Sequence, residues 1–224
     1  MFGFERPTEE DQWLHYLNRA ERTFKDSTAR KGQKPLNKPS RLQYIWLYHL
    51  ENKDAPELVE PTGGFATNIT YSEYPPCTVP FATLEKKFLD DLRLEIAHRG
   101  SYILLRAVVG PKRYVSVTTI AEDENGEVEL VQIYNQDSRR SLGNVMPEGQ
   151  VFIVKEPYFK TTSVGGTSIR VDHVSDIIFL DSEDERIPEN WRPRIRLLGR
   201  ESLDWKDDGN IFYKGKQYFE AVQW

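Results

Sequence analysis

A carboxylate beside an imidazole is a pairing able to move a proton near neutral pH, and Asp172-His173, with Asp176 shortly after, supplies one in this chain. The same residue types ligate metals. Neighbours on an extended strand point to opposite faces, so Asp172 and His173 do not naturally converge. They read first as polar residues of a turn between strand segments, and only second as catalytic candidates. No G-x-S-x-G, phosphate-loop, H-E-x-x-H or dinucleotide glycine pattern accompanies them, and no metal site is expected.

A second constellation suits nucleic acid. Tyr114, Tyr134, Tyr158 and Phe159 have faces on which bases can stack. Lys112, Arg113, Lys155, Lys160 and Arg170 can reach phosphates. Residues 99–170 hold nine basic and eight acidic side chains, a balance of +1 against -6 elsewhere. Glu122-Asp123-Glu124 and Glu127 lie close to the same surface, and solvated strand faces with core tyrosines account for the same residues.

The elements that must carry these groups change period along the chain. Trp13, Leu14, Leu17, Ala20 and Phe24 recur at helical spacing and predict a helix over about 9–28. Ser40 caps a shorter helix with Leu42, Ile45, Trp46 and His49. Residues 52–76 carry Pro, Gly, Asn and Glu without a period, as a long loop does. A further helix is expected over 82–98, although Leu92 to Ile96 also alternates. From Gly100 the period is two. Strands are expected at 102–109, 114–121, 128–134 and 149–157, and in two pieces at 168–171 and 177–180. Glu124-Asn125-Gly126 makes a hairpin turn, and Gly165-Gly166 marks a hairpin tip.

The fold class is therefore α+β and mainly β, with a small five-stranded OB-like barrel. An SH3-like barrel and an open sheet are the alternatives. The organisation reads as helices over 1–52, a linker over 53–80, the barrel domain with its leading helix over 81–196, and a final unit over 201–224.

In that final unit Trp205, Gly209, Phe212, Tyr218 and Ala221 resemble a tetratricopeptide repeat broken off before its end. Lys206 and Asn210 match the first-helix positions with which such domains clamp a partner's terminal carboxylate, one helical turn apart.

The chain has 224 residues and a net charge of -5, a poor balance for binding nucleic acid non-specifically. Its one cysteine, Cys77, excludes an internal disulfide. With no secretory layout at the start and no run of about 18 apolar residues, a cytoplasmic or nuclear protein away from membranes is expected.

Tyr74-Pro-Pro-Cys77, Asp91 to Glu95, His98-Arg-Gly100, Lys155 to Lys160, Ile169 to Ile177, Asp184 to Pro188 and Trp191-Arg-Pro193 together resemble the amino-terminal region of fungal TPR-and-SET-domain proteins. The resemblance covers about residues 70–224. It implies tetratricopeptide repeats and then a SET domain, which transfers methyl groups from S-adenosylmethionine to lysine. No SET motif such as Asn-His-Ser-Cys occurs here, and Ala97 stands where the family shows a second histidine. The resemblance thus implies a non-catalytic scaffold with no cofactor in this chain, S-adenosylmethionine belonging to downstream sequence. A protein partner is expected first, single-stranded nucleic acid second, and a small enzyme or small-molecule binder using the barrel cavity third.

Overall fold

The structure, a computed structural model, describes residues 9–36, 38–51, 72–113, 115–136, 145–162, 165–192, 210 and 214. The repeat-like unit over 201–224, apart from Asn210 and Lys214, lies outside the described residues, as does Tyr114. Helices α1, Glu9–Ala29, and α2, Arg41–Glu51, accompany one large mixed sheet. Its strands are β1 Glu85–Lys87, β2 Ile96–Ala97, β3 Ser101–Ala107, β4 Lys112–Arg113 and β5 Val117–Glu122. Then come β6 Val128–Ile133, β7 Val151–Lys155, β8 Tyr158–Thr161, β9 Thr167–Val171 and β10 Ile177–Phe179. Pairing runs β10-β7-β3-β5-β6-β9-β8-β2, with β1 beside β3 and β4 beside β5. The β6–β9 and β1–β3 pairs are parallel and the rest antiparallel.

Strands β7 and β8 are one run of chain folded at Glu156-Pro157. Glu156 has φ 46, and its N–H donates to the Ser101 carbonyl at 2.7 Å. Its carboxylate accepts the Gly100 N–H at 2.9 Å and pairs with Arg99. The fold lets the first half pair with β3 and the second with β9. The sequence expectation had no separate strand at Tyr158–Thr161.

Alternation fills one side of this sheet with carbon. Ile103, Leu105, Val117, Val131, Ile133, Phe152, Val154, Phe159, Ile169 and Val171 are buried together. Each such side chain contributes about 1.5–3 kcal/mol. Leu89, Leu92 and Leu94 join them, and so do Val145 and Met146. On the other side, Trp191 and Ile187 pack on Leu104, Val151 and Ile153. The Glu124-Asn125-Gly126 turn forms as expected: Gly126 has φ 81 and donates to the Asp123 carbonyl at 3.0 Å.

The helix expected over 82–98 is not there. Two short 3-10 turns, Phe81–Thr83 and Leu89–Asp91, alternate with β1 and β2 instead. Leu84, Leu89, Leu92 and Leu94 are all buried at spacings no single helical face provides. Backbone groups along the segment find distant partners that reward an extended path: Glu85 N–H donates to the Gly100 carbonyl at 2.9 Å, and Glu95 N–H to the Phe159 carbonyl at 2.7 Å. Glu95, at φ 57, also departs from helical geometry.

Both amino-terminal helices form, and on α2 the docking face is offset from the expected one. Ser40 caps α2 through a reciprocal pair with Gln43, whose Oε1 lies 3.0 Å from the Ser40 nitrogen. The residues that dock α2 are Tyr44, Ile45 and Tyr48, packed on Val109, Ile120 and Val128. Leu42 and Trp46 face out. Tyrosine wins the inner face because its hydroxyl reaches polar groups in the sheet that leucine cannot satisfy.

Candidate functional site

Register places several of the candidate residues on one outer face. Lys112 is opposite Thr118, Thr118 opposite Gln132, Gln132 opposite Arg170, and Arg170 opposite Tyr158. Directly paired residues share a face, so these five form one row across the strands. Lys160, two residues beyond Tyr158, and Tyr134, two beyond Gln132, lie on the same face. The Arg170 guanidinium sits 4.5 Å from the Tyr134 ring centroid, and the Lys160 ammonium 6.0 Å from that of Tyr158. Exposed Lys112 ends the row, while half-buried Arg113 pairs with Val117 and so belongs to the opposite face.

The cations at its centre are already paired. Lys160 and Arg170 both bind Glu73 Oε1 at 2.8 Å, and Arg170 Nε meets Asp172 Oδ1 at 2.6 Å. Tyr158 donates to Glu95 Oε2 at 3.2 Å. Burial, followed by the charges of Glu73 and Glu95, raises its hydroxyl well above the ordinary tyrosine range. Burial opposes ionisation of Glu73, yet the Lys160 hydrogen bond and the two cations hold its carboxyl below the usual glutamate value. Ala20, Thr23 and Phe24 of α1 face Gln132, Tyr134 and Lys160 across a cleft of about 660 Å³.

Asp172 and His173 are brought together on a segment rather than on a substrate. Residues Ser72–Cys77 lie along the sheet as a strap. Asp172 Oδ2 accepts the Glu73 N–H at 3.2 Å. His173 Nε2 is 2.7 Å from the Tyr74 carbonyl and 2.9 Å from Ser72 Oγ. Asp176 Oδ1 accepts the Cys77 N–H at 3.0 Å. The Tyr74 hydroxyl donates to the Arg170 carbonyl at 2.9 Å and accepts the Asp172 N–H at 3.0 Å. The polar atoms that looked catalytic thus bind a strap. Neither Asp172 nor His173 lines the 660 Å³ cleft or a second one near α2. Among the described residues no group of three His, Cys, Asp or Glu side chains is placed to hold a metal ion.

The docking of α2 escaped sequence reasoning. Glu129, 1% exposed, accepts the Tyr44 hydroxyl at 2.5 Å and the Thr167 hydroxyl at 3.0 Å. Burial raises its carboxyl above the ordinary glutamate value, against the opposing pull of Lys38. Glu122 binds Arg41 of α2 at 2.8 Å and also pairs with Arg106 of β3. Tyr48 donates to the Gly110 and Thr118 carbonyls at 3.1 and 3.0 Å. Period-two reading marks Glu129 as a strand residue with a polar side, and only the long-range pairing shows why it is inside.

Both helices carry large exposed apolar side chains. Trp13 is 66% exposed, Phe24 71%, Leu42 76% and Trp46 61%, with Leu14, Leu17 and Leu50 also over half exposed. On α2, Leu42, Trp46 and Leu50 follow a strict four-residue spacing, so they form one stripe. Exposed apolar side chains grouped this way mark interaction surfaces. Asn210 is exposed, while Lys206, the other proposed clamp residue, lies outside the described residues.

Among known proteins, a methyltransferase of the fungus Gibberella zeae is 34% identical over 216 residues, which is 96% of this chain and 28% of that protein. This chain is a relative of a fungal methyltransferase. It spans less than a third of that relative's length. No family model matches. An OB domain from Methanosarcina mazei has a TM-score of 0.32 and 13% identity, over 42% of this chain and 82% of that one. A Schizosaccharomyces pombe protein bound to single-stranded DNA has a TM-score of 0.35 and 12% identity, over 45% and 90%. No helix among the described residues is long and apolar enough to cross a membrane.

Proposed function

We propose that the chain is a non-catalytic, partner-binding module of a longer methyltransferase. Its strand framework is an OB-like barrel of five main strands, with the β7–β8 bend returning the ladder to β3. The observation that carries the reading is the set of exposed apolar side chains on α1 and α2, among them Trp13, Leu17, Leu42 and Trp46. Its occupant is the remaining polypeptide of the methyltransferase, since the matched region accounts for only 28% of the relative. The resemblance to TPR-and-SET proteins sharpens this: a helical repeat needs a neighbour to cover its apolar face. S-adenosylmethionine and the methyl transfer would then belong to that remaining part.

Calorimetric titration of this chain with the part of the Gibberella zeae relative outside the matched region tests the reading. Binding is expected, weakened at least about tenfold by Trp13→Glu with Trp46→Glu, because buried aromatic anchors dominate interfaces. Equal affinity in the double variant, or no association with the wild-type chain, overturns it.

A second reading, a single-strand binder, is favoured by the shared face of Lys112, Tyr134, Tyr158 and Lys160. OB barrels bind strands on the face of their second and third strands, and here α2 covers that face over Ile120 and Val128. Single-stranded DNA would have to use the remaining polar half. An electrophoretic shift at low salt, lost in Lys112→Ala with Lys160→Ala, would establish it; no shift at low salt removes it.

A further inference from the structure

The second cleft, of about 580 Å³, lies between the residues after α1, the inner side of α2 and the β8–β9 hairpin. Its volume falls within the range of about 300–1,000 Å³ typical of small-molecule sites. Part of its lining is polar. The nitrogen Arg30 Nε and the hydroxyls of Thr161 and Thr162 are buried there without a hydrogen-bond partner. The Arg30 guanidinium makes one hydrogen bond, at 3.4 Å to the Lys34 carbonyl, and no ion pair among the described residues. Buried polar atoms are nearly always satisfied, so three on one cleft call for an explanation. Lys38 also lines the cleft, but Glu127 and Glu129 hold it at 3.3 and 3.9 Å. Glu129 is in turn fixed by Tyr44 and Thr167, so the nearby carboxylates are committed elsewhere.

The same lining supplies carbon through Leu36, Leu47, Ile120 and Leu130. Donors and hydrocarbon in one cleft define a chemistry. Three unpartnered groups that can all donate hydrogen bonds, one of them cationic, suit an oxyanion.

We infer that this cleft binds a small organic oxyanion, with its phosphate or carboxylate head on Arg30, Thr161 and Thr162 and its apolar body against Leu36, Leu47 and Leu130. The site stands on its own geometry and does not depend on the docking role of the helices.

Calorimetry on the full chain with phenyl phosphate and with octanoate tests it, beside the neutral phenol and octanamide. At least one anion should bind saturably, with its neutral counterpart weaker by about tenfold or more, the worth of a charged hydrogen-bonded head. Arg30→Gln should weaken the anion about tenfold. Thr161→Val with Thr162→Val, which preserves side-chain shape, should weaken it about fivefold. If Arg30→Gln fails to fold, the threonine pair decides. Which anion binds better identifies the head group. No saturable binding of either anion, unchanged affinity in the threonine pair, or equal binding of the neutral compounds overturns the site.

Discussion

Two added segments are fastened to the same sheet by opposite means. The strap at Ser72–Cys77 is held through acidic side chains: Asp172 and Asp176 accept its N–H groups, and Glu73 binds Lys160 and Arg170. Helix α2 is held by a buried carboxyl that keeps its proton more readily than usual, Glu129, received by Tyr44 and Thr167. The strap's polar contacts are mostly ion pairs and carboxyl acceptors, whereas α2 is docked mainly by apolar packing and hydrogen bonds, with the Arg41–Glu122 ion pair at its start. One sheet therefore carries one attachment sensitive to acid and one that tolerates it.

Removing the buried anchor is the harshest way to break this contrast. Glu129→Ala strands the hydroxyls of Tyr44 and Thr167 and opens a void, so urea unfolding should show a loss of about 3–4 kcal/mol. Glu129→Gln, which keeps the shape and an acceptor, should cost about 1 kcal/mol. A similar loss for both would mean that charge, not hydrogen bonding, docks α2.

Acid gives a smaller effect. Glu73 and Glu156 have carboxyls lowered from 4.5: burial opposes this, but hydrogen bonds from Lys160 to Glu73, and from Gly100 and Arg99 to Glu156, outweigh it. The unfolded chain takes up these protons first, so their stabilisation is present above about pH 4.5 and lost as pH falls through the folded values. His98 acts in the same direction at higher pH. Burial lowers its imidazole from 6.5, and its Nε2 accepts the Arg93 N–H at 2.9 Å. Its contribution declines as pH falls below about 6.5. Glu129 has the opposite sign: raised in the fold, it favours the folded state as pH falls toward 4.5. Hydrogen exchange between pH 7 and 4 should thus show the backbone around Tyr74 and Cys77 opening before that of α2. Simultaneous opening would erase the distinction.

The mildest test is Tyr48→Phe. It removes the hydrogen bonds to the Gly110 and Thr118 carbonyls while retaining the ring, and should cost about 1 kcal/mol in thermal unfolding. A change near zero would assign α2 docking to apolar contact alone.

Much of the strand framework was legible because alternation is local: Ser101–Ala107 and Val128–Ile133 show their more buried side in their own spelling, whereas Val117–Glu122 is buried on both faces. The helix wrongly expected over 82–98 shows the limit. Its leucines are spaced for three different approaches to the core, and the partners that draw the backbone out, Gly100 and Phe159, lie elsewhere in the chain. The candidate residues Lys112, Tyr134, Tyr158 and Lys160 fall on one side of the sheet, and for Tyr158 and Lys160 that placement comes from a strand, Tyr158–Thr161, that the local pattern does not announce. Their neutralisation by Glu73 and Glu95 was not readable, because those acids arrive from segments with no period. Trp13, Leu17 and Phe24 show a further gap. Helical spacing identifies an apolar stripe, but whether it turns inward is decided by what competes for the sheet, and on α2 tyrosines with hydroxyl partners took that place.

The bend at Glu156-Pro157 has a consequence for assembly. A single run of eleven residues, 151–161, must find β3 on one side of the corner and β9 on the other, the first partner lying far upstream in the chain. Neighbouring hairpins such as β5–β6 can zip up by themselves, but the β3–β7 and β8–β9 pairings coexist only when this corner is seated, so loop closure must be completed before most of the reward arrives. The chain should accordingly fold on a millisecond-to-second timescale, with the corner residues among the last to gain protection.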